Sequence, residues 1–342
     1  MKVFRALAIR RWWVDIILAM PRLFVLLMLF GGLAACGGSA APVVLNPLAQ
    51  YRLFVDEQSK PAQQERSWRA LGNTADADTI HKIAVQPLAL WISEDIDRVE
   101  GRVRDVVDRS VVLGQVPVLV GYYIPGRDCG SYSGGGATDA AAYRGWIERL
   151  VLVINGRSTV VILEPDAVAH TLAGCQLNRE LVAERYQLLA TAIQRLKAAG
   201  AIVYLDAGNP GFGNDTSALV HGLVLAGISR ADGFALNVAN FYSTDAILAY
   251  GRRLSKALGG KHFVIDSSRN GAGPPTPTMD GSPTWCNPPG RALGHPPTVH
   301  TGQPLLDAYL WIKTPGESDG NCRPGEPQAG DWWPEYALSL AR

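Results

Sequence analysis

The stretch Thr159-Val160-Val161-Ile162-Leu163-Glu164-Pro165-Asp166 decides the fold class of this chain of 342 residues. Its run of β-branched and aliphatic side chains is typical of a strand that is buried on both faces of a parallel sheet. Two carboxylates, Glu164 and Asp166, follow the strand at once. The rest of the sequence repeats this arrangement, in which a short apolar run leads into polar or acidic residues.

Short apolar runs of this kind predict the other strands, and amphipathic segments between them predict helices. The predicted strands cover residues 82–91, 116–124, 159–164, 201–205, 233–238, 262–265 and 308–312. Helical spacing relates Ile96, Val99, Val103, Val106 and Val107, and also Leu181, Tyr186, Leu189, Ile193 and Leu196. Strand ends recur roughly every 30 to 45 residues, the length of a βα unit. We therefore predict an α/β fold, a (β/α) barrel of parallel strands in one domain.

Carboxylates follow several of these predicted strands. Besides Glu164 and Asp166, they are Asp128, Asp206, Asp266, Glu317 and Asp319. The carboxyl ends of barrel strands converge on one face, where active sites lie. A single such Asp is more often a helix N-cap, but five strands that deliver acids to one rim are not all explained by capping. Clustered carboxylates and six scattered His fit acid–base catalysis better than a zinc site, so we expect no metal and no cofactor.

Composition narrows the class of partner. Lys and Arg number 32 and Asp and Glu 31, and without basic blocks this balance gives no electrostatic surface for nucleic acid. Nine Trp is a high count, and four of them fall in predicted strand ends or loops: Trp91, Trp285, Trp332 and Trp333. Flat sugar faces stack on such rings, which favours a carbohydrate ligand. Trp146 and Trp311 are instead expected in the core.

The N-terminal region predicts export. The apolar run at 23–35 has the length of a signal-peptide core and is too short to span a membrane. Leu33-Ala34-Ala35-Cys36 resembles a lipobox, so residues 1–36 are predicted as a leader with Cys36 as the lipidated residue. Residues 37–45 then form a flexible tether. An ordinary secretory signal is the alternative, and Met20 is favoured as the start over a long twin-arginine leader. The protein is expected on the outer face of the cell membrane, or secreted.

Six motifs resemble, in their order, those of glycoside hydrolase family 6, which comprises cellulose-cleaving endoglucanases and cellobiohydrolases. They are Gly-Tyr-Tyr-Ile-Pro-Gly-Arg-Asp-Cys at 121–129, Val-Ile-Leu-Glu-Pro-Asp at 161–166, Tyr-Leu-Asp-Ala-Gly at 204–208, Asn-Val-Ala-Asn at 237–240, Trp-Cys-Asn at 285–287 and Trp-Ile-Lys-Thr-Pro-Gly-Glu-Ser-Asp-Gly at 311–320. The resemblance implies a distorted barrel of about seven strands at 46–342, in a bacterial lipoprotein-type member. It also implies inverting hydrolysis of β-1,4-glucosidic bonds.

The resemblance implies a role for each matched residue. Asp166 corresponds to the general acid, Asp128 to the residue that raises its pKa and relays a proton, and Asp319 to the base. Asp206 corresponds to a supporting carboxylate, and Tyr122 to the tyrosine against the sugar at the cleavage point. The sugar-binding positions are Trp91, Asn209, Phe212, Asn237, Trp285, Lys313 and Glu317. The family pattern pairs Cys129 with Cys175 and Cys286 with Cys322, which leaves Cys36 for the anchor.

Two departures from the family pattern bear on the activity. Asn209-Pro210-Gly211-Phe212 stands where members often carry His and Trp, so we expect altered sugar binding on the leaving-group side. The segment at 319–331 lacks the long insertion that roofs the cellobiohydrolase site. An open cleft and internal cutting follow, which predicts an endoglucanase acting on β-glucan. We expect the protein to be a monomer. The alternatives are a non-catalytic, surface-anchored glycan-binding protein on the same scaffold, or a hydrolase of another β-glucan.

Overall fold

The computed structural model describes residues 45–173, 175–213, 216–276, 281 and 283–342. The predicted leader at 1–36, with Met20 and Cys36, and nearly all of the tether at 37–45 lie outside the described residues. Within the described part, no helix is both long enough and apolar enough to cross a membrane.

A single parallel sheet forms the centre of the fold. Its strands are β1 (Leu90–Ile92), β2 (Val118–Gly121), β3 (Val160–Leu163), β4 (Ile202–Asp206), β5 (Gly233–Leu236), β6 (His262–Asp266) and β7 (Leu306–Leu310), paired in chain order. An isolated parallel bridge joins Leu88, before β1, to Trp311, after β7. The sheet therefore curls into a barrel that is distorted where its two edges meet. The predicted α/β barrel of about seven parallel strands is confirmed.

Helices connect the successive strands from β1 to β6 and pack against the outside of the sheet, whereas the described residues between β6 and β7 form no helix. They are α1 (Lys60–Ala70), α2 (Thr74–Ala84), α3 (Ile96–Val112), α4 (Ala140–Ile154), α5 (Arg179–Ala198), α6 (Thr216–Leu225), α7 (Thr244–Ala257) and α8 (Pro334–Ala341). The predicted amphipathic helix at 181–196 is confirmed as α5. It is capped at its start by Asn178, whose side chain accepts from Leu181 N at 2.8 Å. Gly200, with φ of +87°, follows its last turn in the conformation that ends helices without strain.

Alternation along the strands divides the core into two layers. Val161 and Leu163 of β3 pack outward with helical residues such as Leu150 of α4. Val160 and Ile162 belong to a second buried cluster, which is contributed mainly by the strands and fills the barrel. Both faces of β3 are therefore buried, as its uninterrupted apolar run predicts.

The predicted strand at 82–91 is wrong in its first half, because α2 continues to Ala84 and β1 begins only at Leu90. The buried face of α2, formed by Ile80 and Ile83, packs with Trp311 in a third cluster. The apolar residues before β1 thus belong to the buried face of a helix. A short apolar run by itself does not distinguish that face from a strand.

Candidate active site

Backbone strain is concentrated where the strands end. Among the described residues, six non-glycine residues just beyond β2, β3 and β5 have φ in the left-handed region: Asp128, Cys129, Glu164, Asp166, Asn237 and Ala239. Such conformations cost free energy and persist where surrounding contacts hold them. The strain lies on the face of the barrel where the strand-end carboxylates converge.

Asp166 lies in a buried corner rich in carboxylates. Its backbone N–H donates to Asp206 Oδ1 at 3.0 Å, and Gly208 N donates to the same oxygen at 2.8 Å. Burial raises the pKa of Asp166 well above its usual range, and the charges of Asp206 and Asp128 act in the same direction. Burial also raises the pKa of Asp206 to about 7, although its two backbone hydrogen bonds oppose this shift. This corner favours carboxyl groups that keep a proton near neutral pH.

Asp128 is positioned by the loop that follows β2. Its Oδ2 accepts a hydrogen bond from Ser133 N at 2.7 Å, and Arg127 Nε donates to Ser133 O at 2.7 Å. The glycines of this loop permit a close approach, since a Cβ on Gly136 would overlap the carbonyl oxygen of Ile124. Asp128 is therefore fixed by its own loop rather than by a cationic partner.

Asp319, after β7, is surrounded by cations instead. Its Oδ2 accepts from Arg269 Nη1 at 2.8 Å and from Asn287 N at 3.0 Å, while Lys313 Nζ lies 3.7 Å from Oδ1. Arg269 is fully buried. Burial lowers the pKa of Lys313, and the charge of Asp319 opposes that shift. Asp319 thus takes part in a buried ion pair that leaves Oδ1 the less engaged of its two oxygens.

A cleft of about 1310 Å³ runs past these carboxylates, and Asp128, Asp166 and Asp319 all line it. Seven residues predicted to contact sugar line it as well: Trp91, Tyr122, Asn209, Phe212, Trp285, Lys313 and Glu317. Its volume exceeds that of an ordinary small-molecule pocket, about 300–1,000 Å³. The structure therefore gathers around one cleft most of the residues that the sequence singles out.

Aromatic rings line the cleft. Trp91 meets Tyr122 edge to face with centroids 5.3 Å apart, and Trp285 meets Tyr132 at 5.8 Å in the same manner. Trp285 is 39% exposed, as expected for a ring that does not belong to the core. Burial raises the pKa of Tyr122, and the charge of Asp166 adds to the shift, so this phenol stays protonated. The exposed rings of Trp285 and Tyr132 offer flat apolar faces to a sugar.

Two disulfides fix loops beside the cleft. Cys129 is bonded to Cys175, and Cys286 is bonded to Cys322. The first links the loop after β2 to the segment after β3, and the second links the loop before β7 to the loop after it. Both pairs are those implied by the family pattern.

The model for glycosyl hydrolases family 6 matches residues 48–342. The chain belongs to this family. Endoglucanase A of Cellulomonas fimi is 44% identical over 283 residues, which are 82% of this chain and 59% of that protein. Endoglucanase A of Thermobispora bispora is 38% identical over 280 residues, 78% of this chain and 58% of that protein. The chain thus spans about three fifths of the length of these curated relatives.

A solved structure agrees with the family assignment. The endoglucanase Cel6 from Mycobacterium tuberculosis, in complex with methyl-cellobiosyl-4-deoxy-4-thio-β-D-cellobioside, is 40% identical and has a TM-score of 0.79. The match covers 86% of this chain and 98% of that one. The curled seven-stranded sheet is therefore shared with a structurally characterised member of the family.

Asn237, predicted to contact sugar, is not among the residues that line the cleft. Its side chain is fully buried, and Nδ2 donates to Asp266 O at 2.9 Å. Its Oδ1 accepts from Tyr242 N at 3.2 Å. These bonds hold the loop after β5 against β6. In this geometry Asn237 stabilises the wall of the site rather than its surface.

Glu164 and Asp266 are buried acids to which the sequence assigns no role. Both connect the ends of neighbouring strands through hydrogen bonds. Glu164 accepts from Tyr123 N and Ile124 N, each at 3.0 Å, and burial raises its pKa to about 7. Asp266 accepts from Ala239 N at 3.0 Å and Lys313 N at 2.9 Å. Each carboxylate thus satisfies backbone donors from neighbouring loops, at positions where the ladder of the sheet has ended. Their place directly after a strand is the sequence signal that marks them.

Two groups of side chains among the described residues have the spacing of metal ligands. One is Cys129, His170 and Cys175, and the other is Cys286, Cys322 and Glu326. Each contains a disulfide, and a disulfide sulfur is not the thiolate that binds a metal ion. With the disulfides intact, neither group offers a thiolate ligand.

Proposed function

We propose that this chain is an inverting endoglucanase that hydrolyses β-1,4-glucosidic bonds in cellulose or a related β-glucan. The observation that carries the proposal is a long, aromatic-lined cleft that brings together Asp166 with a raised pKa, Asp128 and Asp319. Membership of the family and the names of the relatives at 38–44% identity support it. A β-glucan chain is the proposed partner, with no cofactor.

Asp166 is the proposed general acid. Protonation of the leaving oxygen requires a carboxyl group that still carries its proton at the working pH. Burial and the charges of Asp206 and Asp128 provide this condition. Asp206 supports the acid by accepting its backbone N–H and by raising its pKa. Tyr122, protonated and beside Trp91, is proposed to contact the sugar at the cleavage point.

Asp319 is the proposed base, and Asp128 is proposed to relay a proton from the attacking water. Oδ2 of Asp319 is held by Arg269, so Oδ1 is the oxygen for the water. Azide offers a test, because a small anion replaces water once the base is removed. Asp319→Ala rescued by azide, with a glycosyl azide product, identifies the base. Rescue of Asp128→Ala alone assigns the base to Asp128.

The stereochemical and subtype proposals have direct tests. Proton NMR of cellotetraose hydrolysis is expected to show the α-anomer first, since inversion converts the β-linkage. On carboxymethylcellulose, viscosity is expected to fall early relative to the release of reducing ends. Cellobiose as nearly the only product, with little loss of viscosity, contradicts internal cutting. If the protein binds β-glucans but hydrolyses none of them, it is a glycan-binding protein. If it hydrolyses barley glucan in preference to cellulose, another β-glucan is its substrate.

We also propose that the protein is exported with a leader at 1–36, a tether at 37–45 and a lipid on Cys36, and that it acts as a monomer. Two disulfides in the described part support an oxidising compartment. Mass spectrometry of the mature N-terminus measures the cleavage point and the acyl chain. Cys36→Ser is expected to release the protein from the membrane fraction. Light scattering on the soluble domain measures its oligomeric state.

A further inference from the structure

His170, which has no role in the proposed function, lines the cleft beside Phe212. His170 belongs to the short turn after Asp166, and its backbone N–H donates to Asp166 O at 2.8 Å. Its ring meets Phe212 edge to face, with centroids 5.5 Å apart and planes at 74°. The residue therefore joins the acid's own segment to the aromatic wall that follows β4.

The packing around this pair fixes the position of both rings. A Cβ on Gly208 would lie 3.0 Å from Phe212 Cδ2 and 3.2 Å from Ala169 Cβ, so Phe212 packs directly on the backbone. One ring nitrogen of His170 lies within 4.8 Å of both sulfurs of the Cys129–Cys175 disulfide. The imidazole is thus confined between a disulfide and an aromatic ring.

Within the described part of the chain, the imidazole of His170 has no hydrogen-bond or ion-pair partner at either ring nitrogen. The residue also lines the cleft, where a ligand can reach it. Burial lowers the pKa of His170, and Arg185 acts in the same direction while the charge of Asp128 opposes it. A neutral imidazole presents one donor and one acceptor, which matches a sugar hydroxyl.

We propose that His170 is a substrate-binding residue on the leaving-group side, where it hydrogen-bonds a hydroxyl of the departing glucan while Phe212 stacks against the sugar. This inference rests on the proposed function and on the expectation from the sequence that residues 209–212 bind sugar on the leaving-group side. His170 then sets specificity for a sugar leaving group rather than taking part in proton transfer.

Two substrates distinguish binding on the leaving-group side from an effect on the reacting centre. Cellotetraose places sugar on that side, whereas 2,4-dinitrophenyl β-cellobioside carries a leaving group without hydroxyls. His170→Ala is expected to lower kcat/KM on cellotetraose about three- to tenfold, the range for one neutral hydrogen bond, mainly through KM. Its kcat/KM on the aryl cellobioside is expected to stay within about twofold. His170→Asn, which keeps a donor and an acceptor, is expected to recover part of the loss.

The controls separate this inference from the proposed function. His221→Ala removes an exposed histidine of α6 and is expected to change neither substrate. If His170→Ala lowers kcat/KM equally on both substrates and shifts the pH profile, His170 acts at the reacting centre and the proposal is overturned. An unchanged kcat/KM on cellotetraose overturns it as well. Calorimetry in the Asp166→Asn background needs no turnover. Equal affinity for cellotetraose with and without His170→Ala refutes the role of His170, whereas absence of hydrolysis by the wild type refutes only the proposed function.

Discussion

Two aspartates beside the same cleft occupy opposite electrostatic surroundings. Asp166 is partly buried beside two carboxylates, Asp206 and Asp128, and its pKa is raised. Asp319 is buried, but its neighbours are Arg269 at 2.8 Å and Lys313 at 3.7 Å. The same side chain therefore favours its protonated form in one corner and carries a paired negative charge in the other.

The surroundings of Asp166 and Asp319 differ because different strand ends meet around each residue. β3 and β4 are adjacent, Asp166 follows β3 and Asp206 ends β4, so burial and like charge favour the proton on Asp166. The loop after β6 supplies Arg269 to the loop after β7, and this cation pairs with Asp319. An inverting hydrolase needs one protonated acid and one ionised base. In this barrel the two environments lie at the ends of different strands, one after β3 and β4 and the other after β6 and β7.

Removal of the proposed acid is expected to have the largest effect. Asp166→Asn keeps the size of the side chain but has no proton to give, so kcat on cellotetraose should fall about a hundred- to ten-thousand-fold. The rate on 2,4-dinitrophenyl β-cellobioside should fall far less, because its leaving group departs without protonation. Steady-state kinetics on both substrates measure the contrast. Equal losses on the two substrates would show that Asp166 does not act as the acid.

Breaking the ion pair of the other corner is expected to affect the fold. Arg269→Met leaves the buried charge of Asp319 without its main partner, at a cost of about 3–5 kcal/mol in the free energy of unfolding. Urea unfolding with the disulfides intact measures this cost, and Arg269→Met with Asp319→Asn should recover much of it. Asp166→Asn is expected to leave stability unchanged or raised, since it relieves repulsion among carboxylates. A loss of stability in Asp166→Asn similar to that in Arg269→Met would contradict the contrast between the corners.

The pH dependence of activity tests the carboxylate corner more finely. The acid must be protonated, so activity falls as pH rises through the raised pKa of Asp166. Asp206→Asn keeps an oxygen for the backbone donors but removes a negative charge, which lowers the pKa of Asp166. The alkaline limb of kcat/KM should therefore move to lower pH by about one unit, a tenfold loss on that limb. Glu317→Gln, in the cation-rich corner, is the matched control and should leave the limb in place.

Much of this comparison could be predicted from the sequence. The apolar runs located six of the strands closely, and the segments that follow them located Asp128, Asp166, Asp206 and Asp319. A run that ends in an acid carries this information because parallel strands place all their carboxyl ends on one face. The family resemblance added the order of the motifs and the two disulfides.

The rest depends on three-dimensional contacts that a linear pattern does not contain. Asn237 follows β5 as Asp166 follows β3, yet its amide binds backbone groups and is buried. The pairing of Arg269 with Asp319 joins residues 50 apart, and only the loop geometry after β6 and β7 decides it. Nothing in the sequence distinguishes His170 from the other five histidines, because its contact with Phe212 depends on the turn after Asp166.

Loss of an aromatic contact between the two corners is expected to have the smallest effect on activity. Tyr132 belongs to the loop that carries Asp128, and its ring meets Trp285 near Asp319, where the other disulfide-linked loop lies. Such an aromatic pair contributes about 0.5–1.5 kcal/mol, so Tyr132→Ala should raise KM for cellotetraose about two- to tenfold. Since neither corner loses a charge, the pH profile should keep its limbs. Tyr132→Phe keeps the ring and should behave as wild type, whereas a shifted alkaline limb in Tyr132→Ala would show that the contact also controls the electrostatics of Asp166.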